Sequence, residues 1–270
     1  EDDSGSQSRR WVDMNRYWNE FDVDDAIANT KEDGTIDTKE YPLLDLDIRM
    51  DNTCNLKCRM CGPTESHQWY TEWMKTTGYT GFKSYGHRVA LEMDGSRATI
   101  VGDNPYQWTE RVDVADILQK DAPELKQMFI SGGEPLIIQQ NFELLQKYID
   151  SGTAHNMELD YNTNFTSIPQ RVLDQWKHFK QVNIGGSVDA IGPINNYIRH
   201  PSKWEQVTKN IHKLDTESSN NVNCWLTFTW QILNVLNVTD LIEWILEQNF
   251  YKFNRYSQSP CFTYHPVHNP

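Results

Sequence analysis

The 270-residue sequence predicts an α/β fold organised around a parallel sheet. Three observations carry that expectation. Apolar, strand-like runs begin near Leu44, Gln127, Met157, Gln181, Cys224 and Cys261. Segments of helical periodicity, near 138–150, 167–179, 202–215 and 238–249, lie between the last five of these runs. Strands alternating with helices of this length form βαβ units with right-handed crossovers. Six strands can be counted, but periodicity alone does not separate an open six-stranded barrel from a doubly wound sheet. In either arrangement the functional edge lies at the C-terminal ends of the strands.

Taken in order, residues 1–42 form an acidic N-terminal extension. Residues 1–47 hold 14 acids and 5 bases, which accounts for most of the net charge of −13. An aromatic cluster, Trp11, Tyr17, Trp18 and Phe21, is suited to docking this segment on a body. Beginning at Glu1, the chain reads as a processed or trimmed piece. From residue 43, Leu44, Leu46 and Ile48 alternate with Asp45, Asp47 and Arg49, the period-2 pattern of a strand. A helix is expected over Thr64 to Met74. An insertion at about 78–125 follows, with a hairpin over 87–101 turning at Asp94-Gly95. Its aromatics (Tyr79, Phe82, Tyr85, Tyr106, Trp108) either decorate the surface or form a lid over the sheet's mouth. Two later helix starts read as capping boxes, Ser167-Ile-Pro-Gln170 and Ser202-Lys-Trp-Glu205.

Composition excludes several classes. With 38% hydrophobic and 23% charged residues, the chain is neither a coiled coil nor wholly disordered. No apolar run approaches the ~20 residues of a membrane span, so no membrane partner is expected. A pI near 5.0 argues against nucleic acid as a partner. Five cysteines, an odd number, fit a reducing compartment better than a disulfide scaffold, and nothing at the start resembles a secretory leader. The expectation is a cytoplasmic protein. On that footing the glycosylation-like triplets Asn164-Phe-Thr166 and Asn237-Val-Thr239 carry no weight.

The strongest chemical signal is Cys54-Asn-Leu-Lys-Cys58-Arg-Met-Cys61, in the loop where the first strand ends. Three thiolates this close can converge on one metal centre, and soft sulfur selects zinc, copper(I) or an iron–sulfur cluster. A structural zinc needs four ligands, and His67 is the nearest fourth candidate. A [4Fe–4S] cluster normally takes four cysteines; with three, one iron keeps an open position for a substrate. The second signal, Ser131-Gly132-Gly133-Glu134-Pro135, ends the next strand.

Together and in this order, the C-x3-C-x2-C loop and the Gly-Gly-Glu-Pro turn resemble the radical S-adenosylmethionine (radical SAM) superfamily. Further elements are similar to that family at strand ends. Thr163-Asn164 resembles its TNG element, with Phe165 in place of the glycine. Ser187-Val-Asp189 resembles its S-x-D element, and Arg199 the arginine that pairs with the cofactor's carboxylate, as a guanidinium does bidentately. The residue before the third cysteine is usually aromatic; here it is Met60, whose polarizable sulfur can pack on an adenine ring. The stretch from Cys54 to Pro63 looks most like the branch bearing SPASM or twitch extensions.

The resemblance spans about residues 43–267 and implies a partial (β/α)6 TIM-like barrel with the cluster at its top. It implies a [4Fe–4S] cluster on Cys54, Cys58 and Cys61. S-adenosylmethionine would be held by Met60, Gly132, Gly133, Glu134, Asn164, Ser187, Asp189 and Arg199, with Glu134 on the amino group. It further implies reductive cleavage of that cofactor to a 5′-deoxyadenosyl radical that abstracts hydrogen, fed by an electron donor such as flavodoxin or ferredoxin. The branch points to a peptide or protein substrate; a nucleotide-like or other small molecule is the alternative, and a zinc-binding scaffold the non-enzymatic one. The branch's auxiliary clusters need further cysteines. Only Cys224 and Cys261 remain, read as buried free thiols, so the C-terminal extension is expected to be absent or truncated. His265 and His268, in the tail, show no metal-site spacing.

Overall fold

The computed structural model describes residues 22–36, 41–253 and 262–266. The aromatic cluster at 11–21, Cys261 and His268 lie outside them. Along the chain come helix α1 (Val23–Asn29), strand β1 (Asp45–Arg49) and helix α2 (Tyr70–Thr77). Strands β2 (Gly81–Ser84), β3 (His87–Asp94) and β4 (Arg97–Val101) follow, then the short helices α3 (Trp108–Arg111) and α4 (Val114–Asp121). The rest alternates: β5 (Gln127–Ser131), α5 (Gln139–Asp150), β6 (Glu158–Thr163), α6 (Gln170–Trp176) and β7 (Gln181–Ser187). Helices α7 (Gly192–Ile198) and α8 (Trp204–Glu217), β8 (Val222–Trp230), α9 (Val238–Gln248) and β9 (Phe262–Pro266) complete it.

Six strands form one parallel sheet in the order β1-β5-β6-β7-β8-β9. That order is the chain order. A doubly wound sheet reverses direction at a switch point; this one never does, so the partial TIM-like barrel is the arrangement adopted.

Alternation along the strands separates two faces. Ile48, Met128, Ile130, Leu159, Ile184 and Leu226 point to the helix side, where they join Leu144, Tyr148, Trp176, Ile211 and Leu241 in one apolar core. The other face is polar. Gln127 donates to Asp160, Asn183 Nδ2 donates to Asp160 Oδ1 at 2.8 Å, and Asn223 Nδ2 donates to Asn183 Oδ1 at 3.3 Å, a ladder across four strands. A closed barrel fills its interior with branched apolar side chains; this inner face instead carries the polar ladder, beside Phe129 and Trp225.

The insertion forms a three-stranded antiparallel sheet, β2-β3-β4, packed on α2 through Tyr70, Leu91 and Ala98. The expected hairpin is present, and Asp94 pairs with Arg97, so the turn is Gly95-Ser96 with Gly95 at φ 59°. The added strand β2 escaped the sequence reading because it is four residues long and begins with glycine.

Three expectations need correction. The helix placed over 64–74 starts as a 3-10 turn at His67–Trp69, capped by Ser66, and α2 then runs to Thr77. Neither capping box forms. Pro169 and Lys203 occupy the N-cap positions without side-chain caps. Pro169 sets an extended backbone two residues past Ser167, and Ser202 is instead folded into a turn on Arg199, its N–H donating to Arg199 O at 2.8 Å. Helix α1 was also missed; it is seven residues long and held by Asp22, whose Oδ1 accepts from Asp25 N at 3.0 Å. Among the described residues no helix is long and apolar enough to cross a membrane.

Ile184 is fully buried at the centre of the sheet. Ile184→Ala should lower the unfolding free energy by about 2–5 kcal/mol, read from urea titrations, whereas Lys177→Ala, on the exposed end of α6, should change it by less than about 0.5 kcal/mol.

Candidate active site

The cysteine loop leaves β1 and is fixed from three sides. Lys57 N donates to His200 O at 2.7 Å and Arg59 N to Ile198 O at 2.8 Å, tying it to the end of α7 and the residues that follow. Trp69 Nε1 donates to Cys58 O and Ser66 Oγ to Leu56 O, tying it to the start of α2. The third tie is to the glycine turn: Gly133 N donates to Asp51 O at 3.2 Å and Glu134 N to Thr53 O at 2.8 Å. This approach tolerates no side chain. A Cβ at Gly133 would stand 2.2 Å from Thr53 O, and Gly132 holds φ 145°, which favours glycine.

The loop gathers Cys54, Cys58 and Cys61 into one small apolar cluster. Cys58 and Cys61 share a hydrogen bond, which pushes the Cys61 thiol up and, with Arg199 close by, holds the Cys58 thiol down. Burial pushes Cys54 up to about 12. Leu56 and Met60 pack among the thiols.

Around them stand the strand-end residues. Glu134 is buried at 1% exposure: Oε1 accepts from Thr163 Oγ1 at 2.6 Å and Leu136 N at 3.2 Å, and Oε2 from Asn164 N at 2.8 Å. Asn164 Nδ2 reaches Asn55 Oδ1 at 3.0 Å and Cys54 Sγ at 4.0 Å. Arg199 Nε pairs with Asp189 Oδ2 at 2.7 Å, and Asp189, fully buried, also accepts from Thr229 N at 2.9 Å through Oδ1. Burial opposes the Arg199 charge, and Asp189 together with Cys58 and Cys61 more than restores it. Ser187 ends β7, half-buried.

Phe165 occupies the place of the expected glycine. It keeps the left-handed backbone (φ 56°) and lays its ring over Gly186, where a Cβ would meet that ring at 1.6 Å. Asn210 Nδ2 donates to Phe165 O at 2.7 Å. A missing side chain on β7 therefore accommodates the extra one after β6.

His67 has a different task from the zinc ligand considered above. Its Nδ1 accepts from Cys54 N at 3.2 Å, its Nε2 lies 2.9 Å from the side-chain amide of Gln68, and burial pushes its pKa below the usual imidazole value. Among the described residues no three His, Cys, Asp or Glu side chains gather around one ion position. Cys224 is a buried free thiol on β8. Sequence reading missed Trp69, Ser66 and the 198–200 backbone; the first two lie just after the cysteines, but no spacing rule marks them.

Three thiols on the loop after β1 thus face a glycine turn after β5 at one edge of a partial parallel barrel. The sequence model of the Radical SAM superfamily matches residues 48–230, and the chain belongs to that superfamily. It is a family of enzymes that use a [4Fe–4S] cluster and S-adenosylmethionine. No curated protein matches the chain by sequence. Native anSMEcpe with bound AdoMet shares the fold at a TM-score of 0.53 and 17% identity, covering 85% of this chain and 52% of its own. Streptococcus suis SuiB bound to S-adenosylmethionine does so at 0.52 and 12%, covering 98% and 48%. SuiB alone gives 0.50 and 12%, covering 90% and 48%. The chain thus spans about half the length of these structures.

Two outcomes follow. Gly133→Ala should part the glycine turn from the cysteine loop, cost about 1–3 kcal/mol, and make Cys54 and Cys58 react faster with Ellman's reagent in the metal-free protein. The second concerns Glu134, whose pKa burial raises from 4.5 to about 7. A raised carboxyl contributes stability that is full below its unfolded pKa and is lost as pH rises through the folded one. The metal-free protein should lose stability relative to Glu134→Gln between pH 4.5 and about 7, measured by urea unfolding at each pH.

Proposed function

We propose that this chain holds a [4Fe–4S] cluster on Cys54, Cys58 and Cys61 and binds S-adenosylmethionine beside it, acting on a peptide or protein. One observation carries the reading: the three thiols, the Gly132-Gly133 turn, Asn164 and Arg199 are hydrogen-bonded or ion-paired into one rigid strand-end surface. The donor set suits the cluster, with three soft thiols on one loop and His67 committed elsewhere. When bound, the cluster and S-adenosylmethionine supply a 5′-deoxyadenosyl radical for hydrogen abstraction.

The residues divide the remaining work. Gly132 and Gly133 offer backbone at close approach, and Asn164 and Ser187 offer polar atoms at the ends of β6 and β7. Arg199 presents a guanidinium for a carboxylate, and Asp189 is its positioning partner. Glu134 braces Thr163, Asn164 and Leu136 and keeps acceptor capacity on Oε2 for the cofactor's amino group. Met60 and Leu56 line the thiols with apolar surface that excludes water.

Membership of the SPASM or twitch branch, supported by the Cys54–Pro63 stretch, is the basis for the peptide substrate. In this reading residues 1–42 are an acidic extension and 43–270 the barrel with its insertion at 78–125. Flavodoxin or ferredoxin would deliver the electron.

Anaerobic reconstitution should give a brown protein with about four iron atoms per chain that cleaves S-adenosylmethionine once reduced by dithionite. Cys58→Ala should lose both the iron and at least about 100-fold of the cleavage rate. Tight binding of one zinc with no cleavage would overturn the proposal.

A further inference from the structure

A cavity of about 590 Å³ lies against the C-terminal ends of β1 and β5, built from residues to which no task has been given above. That is the size of a small-ligand site, about 300–1,000 Å³. Its floor is the sheet's polar inner face, Asp47, Arg49 and Ser131; its walls are Tyr85, Tyr106 and Trp108 of the insertion. It borders the cofactor turn directly, since a Cβ at Gly132 would lie 3.7 Å from Arg49 Cγ.

The polar atoms of two walls are already engaged. Trp108 Nε1 donates to Arg49 O at 3.3 Å, and Tyr106 Oη donates to Ser84 Oγ at 2.8 Å. These side chains therefore offer ring surface rather than donors. Tyr85 stands at the tip of the β2–β3 turn, where Tyr85 and Gly86 both have positive φ, and the Arg49 guanidinium lies 5.8 Å from its ring centre. Among the described residues no carboxylate pairs with Arg49 within 4.0 Å.

Asp47 and Arg49 are two positions apart on one strand, so they share a face at roughly 6.6 Å along it. The pairing of signs favours a ligand that offers an acceptor and a donor side by side over one that carries a single charge. A free carboxylate would find Arg49 but also the repelling Asp47, and an amine would meet the reverse. His87 lines the cavity as well. A peptide unit is neutral and carries one acceptor and one donor, which match the guanidinium and the carboxylate.

We propose that this cavity seats one residue of a peptide substrate. The main-chain carbonyl lies on Arg49, the main-chain N–H on Asp47, and an aromatic or aliphatic side chain against Tyr106 and Trp108. The proposal rests on the function given above for its substrate class and assigns recognition to β1 and the insertion. The insertion is then a wall of the substrate site, neither a detached decoration nor a simple lid.

Saturation-transfer NMR on the full chain, with N-acetyl-phenylalanine amide at millimolar concentration, tests it. The wild-type protein should give a clear transfer signal that falls at least fivefold in Asp47→Ala and in Arg49→Gln. Asp47 is exposed, so its variant should keep the wild-type circular dichroism melt. Unchanged signals in both variants would overturn the proposal, as would no wild-type signal, or 3-phenylpropionate binding as well as the amide. Equilibrium dialysis of S-adenosylmethionine against the reconstituted wild-type protein separates the two readings. Cofactor binding without the amide signal refutes the cavity alone; the amide signal without cofactor binding refutes the function and leaves the cavity standing.

Discussion

The site depends on the contact between Gly133 and the backbone of Asn52 and Thr53. A Cβ there would lie 2.2 Å from one carbonyl oxygen and 2.6 Å from the other. Only because that atom is missing can Gly133 and Glu134 donate to Asp51 O and Thr53 O and join the ends of β1 and β5. Glu134 then carries the link to β6 through Thr163 and Asn164. Three adjacent strand ends are locked in sequence, and the thiols inherit their position from that lock.

The charges inside this lock are costly by themselves. A buried carboxylate and a buried guanidinium each lose hydration, and a fold of apolar residues would be more stable without them. Here each has partners that offset part of that cost: Glu134 takes three donors, and Asp189 pairs with the Arg199 guanidinium and accepts from the Thr229 amide. The outcome is a set of fixed dipoles and one held cation around three thiols. Such preorganisation suits a site that binds a charged cofactor and needs no rearrangement to do so.

Legibility in the sequence followed physical locality. The alternation at Leu44–Ile48 and the later βα rhythm reveal the sheet because period and burial are local properties. Strand order is not local, so the barrel and the doubly wound sheet separate only when β1 is seen beside β5. The capping boxes failed because a proline and a buried turn outweighed side-chain preference. Cysteine spacing marked the thiols, while the bracing roles of Glu134, Asp189 and His67 were hidden, since each depends on partners far along the chain. Phe165 is the clearest case. Its place in a glycine position looks like a departure until Gly186, 21 residues later, is found beneath its ring.

In the proposed function the three thiols leave one cluster position open, next to the surface formed by Gly133, Asn164 and Arg199. Electron paramagnetic resonance of the reconstituted, reduced protein tests this most directly. The wild-type protein should give the signal of a reduced [4Fe–4S] cluster whose g-values shift when S-adenosylmethionine is added, and Cys54→Ala should give no such signal. A cluster signal indifferent to S-adenosylmethionine, or no cluster in a protein whose thiols are intact, would contradict it.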